Sequence, residues 1–268
     1  RADITCIARG KQKDTIYVGL ENGTVIRVNV HTKERKTIGR TGHLVNLLAV
    51  GGDDTTVACA TNEGSVIHWL RNASDEWRQQ DERSFDHSVM CLAFDVDNRC
   101  IVVCGDHETK VELFDLVDEQ PRHTLPLSER PFAVALTSDT ALLSVGDAKG
   151  ELTFWDAATG QSRGRSRPDI GPIHRIEFAA NSKSVACAGG DGFAFVDVDT
   201  GQRLAHNKES SCKNVALSPN GRLCALSDPQ GRIRIWNVVS NAEFARLALD
   251  GTNPSLEFSV GNTMGFSA

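Results

Sequence analysis

No stretch of this 268-residue sequence approaches the roughly 18–20 consecutive apolar residues that a membrane-crossing helix requires. No secretory leader is legible, although a targeting segment could lie upstream of a chain that starts at Arg1. An excess of basic residues is also missing: 29 Lys and Arg face 35 Asp and Glu, for a net charge of −6. Dedicated nucleic-acid binders carry the opposite balance, so a nucleic-acid partner is disfavoured. The eight cysteines, at 6, 59, 91, 100, 104, 187, 212 and 224, contain no C-x-x-C pair and mostly sit inside apolar runs. That excludes the usual zinc spacing and argues against a disulfide framework. Buried, reduced thiols point to a cytoplasmic or nuclear protein. The sequon at Asn72-Ala73-Ser74 has no secretory context and reads as chance. No nucleophile elbow, phosphate loop or metal-ligand pattern occurs, so we expect no enzyme, no cofactor, no metal and no small-molecule substrate.

What the sequence does hold is a repeat. Segments of the form apolar-x-x-[W/F/V]-[D/N] end at Asn29, Asp115, Asp156, Asp197 and Asn237, with Leu70 closing a sixth. Their large residues, Val28, Trp69, Phe114, Trp155, Val196 and Trp236, are 41, 45, 41, 41 and 40 residues apart. A period near 40 fits four-stranded propeller blades. Each copy opens with an alternating run such as V-M-C-L-A-F (89–94) and continues with a short apolar strand such as V-A-C-A (57–60 and 185–188). Gly23, Gly64, Gly150 and Gly231 precede the large residue by five places and Gly192 by four, where a tight hairpin needs positive φ. Thr109 replaces glycine in the third copy, so its turn must differ. The Asp or Asn after the large residue can bond backbone two residues on and fix the next turn, as in D-A-A-T-G (156–160) and D-V-D-T-G (197–201). The strands read as sheets covered on both faces, which stacked blades provide.

These residues resemble the WD-40 repeat family. W-D stands at Trp155-Asp156 and W-N at Trp236-Asn237; G-H appears at Gly42-His43 and D-H at Asp86-His87; S-P-N-G at 218–221 matches the S-P-D-G loop. The resemblance implies an all-β fold: a propeller of four-stranded antiparallel blades, seven in the closed ring. The single domain would span 1–268, with blades near 1–40, 41–85, 86–127, 128–169, 170–209 and 210–251, and a partial one at 252–268. P-S-L-E-F-S (254–259) and N-T-M-G-F-S-A (262–268) would be the first two strands of that last blade, completed by residues outside this segment. The family's structural hydrogen-bond set falls on His43, Thr61, Glu63 and Trp69, but Glu63 stands where the family has Asp and the full set is not expected to form.

Function by this resemblance is a scaffold that binds peptides or partner domains through propeller loops within a larger assembly. A regulatory propeller fused to a catalytic domain elsewhere, or less simply a propeller hydrolase or lyase, stays open. Candidate contacts lie at the start of each first strand: Arg130, His174 and Lys213, with His43 and His87 read as structural. Arg163, Arg165 and Arg167 alternate, so one strand would aim all three the same way, either as a stripe for an acidic partner or as a solvated outer edge. Trp77, in the longest repeat, is either an exposed anchor or a cover for the outer strand. Arg27 and His68 occupy a column that is apolar in the other copies (Leu113, Phe154, Phe195, Ile235). Either a local bulge or a neighbouring domain would account for them.

Overall fold

A computed structural model of the chain describes residues 2–10, 12, 14–86, 88–95, 97–105, 109–208, 211–218, 220–228, 232–248, 255–258 and 264–267. Every regular element among them is a β-strand, and none is a helix able to cross a membrane. The chain divides into two compact units.

The first unit takes in Arg1–Asp106 and Lys110–Pro126 and holds three sheets of four strands. They are β1 (Ile4–Arg9), β2 (Thr15–Leu20), β3 (Thr24–Asn29) and β4 (Arg35–Arg40); then β5 (Val45–Val50), β6 (Thr56–Thr61), β7 (Ser65–Arg71) and β8 (Trp77–Ser84); then β9 (Ser88–Phe94), β10 (Cys100–Gly105), β11 (Lys110–Asp115) and β12 (His123–Pro126). Strands pair antiparallel in chain order, and β5 lies between β1 and β9, so the sheets stack through their first strands.

The second unit holds three more: β13 (Pro131–Leu136), β14 (Leu142–Asp147), β15 (Leu152–Asp156) and β16 (Ser162–Ser166); β17 (Ile173–Phe178), β18 (Ser184–Gly189), β19 (Gly192–Asp197) and β20 (Arg203–Asn207); β21 (Asn214–Leu217), β22 (Leu223–Ser227), β23 (Arg232–Asn237) and β24 (Ala242–Ala248). A two-stranded sheet of β25 (Ser255–Phe258) and β26 (Met264–Ser267) follows. Here β13 meets β17, β17 meets β21, and β21 meets β25.

These sheets are blades of the propeller kind. The expectation was of seven blades with the last one incomplete. The described residues form six four-stranded sheets and one two-stranded sheet, because β25 and β26 are joined by no third or fourth strand.

Side chains alternate across a strand, so one strand serves two cores. Val57 and Cys59 join Tyr17, Val25 and Ile38 of the preceding sheet, while Ala58 and Ala60 join Phe85, Phe94 and Phe114 on the other side. In the second unit Val185 and Cys187 face Phe154 and Ile173, whereas Ala186 and Ala188 face Val215, Leu226 and Trp236. Burying each large apolar side chain contributes about 1.5–3 kcal/mol. A sheet with two such faces cannot stand alone in water.

The turns follow from the residue types. Gly23, Gly64 and Gly150 have φ of +79°, +81° and +81° in the hairpins between second and third strands. After the third strand, the Oδ1 of Asp156 accepts from the Thr159 N–H at 2.9 Å, and that of Asp197 accepts from the Thr200 N–H at 2.8 Å. Asn29 and Asn237 hold their turns the same way. Cys59, Cys187, Cys212 and Cys224 are fully buried free thiols. Burial raises the first three to a pKa of about 12 and the fourth well above its ordinary value.

Candidate protein-interaction site

Five of the first strands begin irregularly. Register shifts between Ile4 and Cys6, Val45 and Leu47, Val89 and Cys91, Pro131 and Ala133, and Ile173 and Arg175 leave one unpaired residue each: Thr5, Asn46, Met90, Phe132 and His174. A bulge of this kind bends the strand and re-aims the extra side chain. Thr5 turns back to donate to the carbonyls of Gly19 and Val45. In the second unit the bulged residues do something different.

Phe132 and His174 come from neighbouring sheets and stack, with centroids 5.7 Å apart and planes 19° from parallel. The Arg130 guanidinium carbon lies 4.6 Å from the Phe132 ring centroid. His174 is exposed, and Phe132 and Arg130 are half-buried. Such ring and cation–π contacts contribute roughly 0.5–1.5 kcal/mol each. Arg175, next to the bulge, and Lys213, just before β21, are exposed. No ion pair engages either side chain among the described residues. The Lys213 N–H donates to the Ser227 carbonyl, which fixes the backbone where the side chain leaves it.

Two of the residues singled out in the sequence, Arg130 and His174, are therefore brought together, and the residue between them was not foreseen. Neither Phe132, within P-F-A-V-A-L, nor Arg175 was singled out in the sequence. Only the extra residue in the strand distinguishes them.

The other candidates are occupied within their own sheet or by the sheet beside it. Arg163 is the bulged residue of β16, because Phe154 pairs Gly164 and Trp155 pairs Ser162. Its guanidinium binds Asp156 at 2.6 Å, whereas Arg165 and Arg167 reach Glu151 at 3.8 and 3.4 Å. Hydrogen bonding from Arg163 and Thr159 holds the Asp156 carboxyl at a pKa of about 2. Glu151 is almost fully buried and also accepts from the Ser128 hydroxyl, the first cause of its lowered pKa. The three arginines thus serve two carboxylates and do not form one stripe.

Trp77 is half-buried at the start of β8, edge-on to Tyr17 at 6.2 Å with the Arg71 guanidinium 5.8 Å from its ring centre. It packs on the core between the first two sheets. Its Nε1 is buried without a hydrogen-bond partner among the described residues. Arg27 binds Asp75 at 3.0 Å. His68 Nδ1 lies 3.2 Å from Asp81 Oδ2, with the ring against Phe94.

Of the expected blade-2 set, His43 Nδ1 lies 3.1 Å from Glu63 Oε1 at the surface. The Thr61 hydroxyl accepts from the Ser65 N–H, and Trp69 is buried against Gly39. The described hydrogen bonds do not link the four. Trp155 Nε1 donates to the Thr153 hydroxyl, and Trp236 Nε1 to Asn241 Oδ1. His87 lies outside the described residues. No group of His, Cys, Asp and Glu able to hold a metal ion occurs among the described residues.

The family model for the WD domain, G-beta repeat, matches residues 80–111. That stretch runs from the outer strand of one sheet through the first two strands of the next, so the sequence repeat is offset from the blade. Actin-interacting protein 1 of Drosophila melanogaster is 24% identical over 252 residues, which take in 90% of this chain and 40% of that protein. The chain therefore spans 40% of the length of the relative it matches.

Proposed function

We propose that this chain, a WD-repeat protein by its family-model match and its blades, is a scaffold that docks protein partners at the starts of its first strands. The observation that carries the reading is the Arg130–Phe132–His174 stack, an ordered and partly exposed group that closes no core. Aromatic and arginine side chains held rigid at a surface are the residue types that dominate interface energy. In this reading the chain has no chemistry of its own and works within a larger assembly. Its β25–β26 hairpin is the beginning of a seventh blade.

Actin is the first partner to test, because the relative from Drosophila is named for interacting with it. The experiment is co-sedimentation with actin filaments, comparing the native chain with Arg130→Glu combined with Lys213→Glu. The native chain is expected to pellet with filaments and the charge-reversed chain to stay in the supernatant with an unchanged melting curve. Equal pelleting of the two rejects this face as the docking site. A native chain that does not pellet rejects actin as its partner.

A further inference from the structure

The same face combines a flat ring surface with positive charge that its own sheets leave unmatched. Several surface cations of the second unit are answered locally, Lys149 by Glu129, Lys208 by Asp169, and the β16 arginines by Asp156 and Glu151. Arg175 and Lys213 are not so answered among the described residues. Beside the imidazole stands Gly190, where an added Cβ would lie 3.9 Å from His174 Nε2, so that position supplies no side chain over the ring.

We propose that this platform receives an acidic peptide segment carrying an aromatic side chain. The incoming ring extends the Phe132–His174 stack, and the flanking carboxylates meet Arg175 and Lys213. The inference rests on the reading of this face as the docking site and adds the chemistry of its ligand. Charge alone would draw any anion, whereas the stack demands a flat group as well. A nucleic-acid strand also offers rings and negative charge, but it needs a basic groove that tracks its backbone. Two unmatched cations on a chain of net charge −6 do not make one.

The test is selection of a random displayed peptide library on the whole chain, with counter-selection on the His174→Ala, Phe132→Leu double variant. Enriched peptides are expected to share an aromatic residue flanked by Asp or Glu. Synthesised singly, they should bind about tenfold more weakly to His174→Ala alone and to Arg175→Glu with Lys213→Glu. Melting curves of the variants report whether each is folded, and His174, being exposed, is the substitution least able to disturb the core. No enrichment over the double variant overturns the proposal, as do enriched peptides lacking either the ring or the acids. Polyuridylate binding that His174→Ala abolishes overturns it in favour of nucleic acid. If charge reversal abolishes actin pelleting but selected peptides lack aromatics, only this inference fails. If pelleting survives charge reversal, the docking face itself is wrong.

Discussion

Asp75 lies in the turn between β7 and β8 at φ +61°, and its carboxylate accepts from Arg71 of its own sheet and from Arg27 and Lys36 of the sheet before it. Lys36 also donates to the Asp75 carbonyl. Three cations on one anion hold its carboxyl well below the usual carboxylate range, with the Lys36 hydrogen bond the largest cause. The carboxylate is 41% exposed, so solvent screens each pair and no single one is strong. The substitution Asp75→Asn isolates the charge, because asparagine tolerates the left-handed backbone and keeps the shape. It should cost about 1–2 kcal/mol in a urea melt, as three partly buried cations lose their common acceptor. A loss below the error of the melt would mean that Arg71 and Trp77 hold the two sheets together without it.

At the scale of elements, the close approach of successive sheets is set by small residues at the ends of second strands. A Cβ on Gly146 of β14 would lie 2.5 Å from Ile173 Cγ2, and one on Gly19 of β2 would lie 2.7 Å from Val45 Cγ1. Gly146→Val must therefore push β17 away, at about 1–3 kcal/mol from overpacking. Because Ile173 precedes His174, it should also weaken partner docking, whereas Gly42→Ala, where no atom lies within 4 Å, should leave docking intact even if the turn is strained. Equal docking by both variants would show that sheet spacing does not position the stack. The period near 40, the glycine hairpins and the Asp or Asn turns were legible in the sequence because each is a local demand on one residue type. The bulges were not, since an extra residue in an alternating strand leaves no compositional mark. For that reason Phe132 was not singled out, and the alternation of Arg163, Arg165 and Arg167 suggested a stripe that the bulge at Arg163 breaks. Trp77 was ambiguous for another reason: its cover, Tyr17, lies sixty residues away in a different sheet.

For the whole molecule, the titrating groups define a pH range of stability with two different walls. On the acid side Asp75, Asp139, Glu151, Asp156 and Asp197 all have lowered pKa values through hydrogen bonds to their charged forms. A depressed folded value favours the native state above the unfolded pKa of about 4, and that contribution is lost as pH falls towards the folded value. For Asp156 the loss runs down to about 2. On the alkaline side the sign reverses. Cys59, Cys187 and Cys212 have folded pKa values near 12, and burial also raises Cys224 well above its ordinary value, so only the unfolded chain ionises between about 8.5 and 12. Each such thiol removes about 1.4 kcal/mol of stability per pH unit within that interval. Unfolding free energy should therefore be level from about pH 5 to 8 and fall steeply above about 9. Replacing Cys187, which lies between two apolar faces, with Ala should make the alkaline fall shallower by one thiol's share, at the cost of a small cavity at neutral pH. Urea melts across that range on the native chain and the Cys187→Ala variant measure both slopes. Identical alkaline slopes would mean that some other ionisation, such as that of Tyr17, whose burial raises it to about 12, sets the wall.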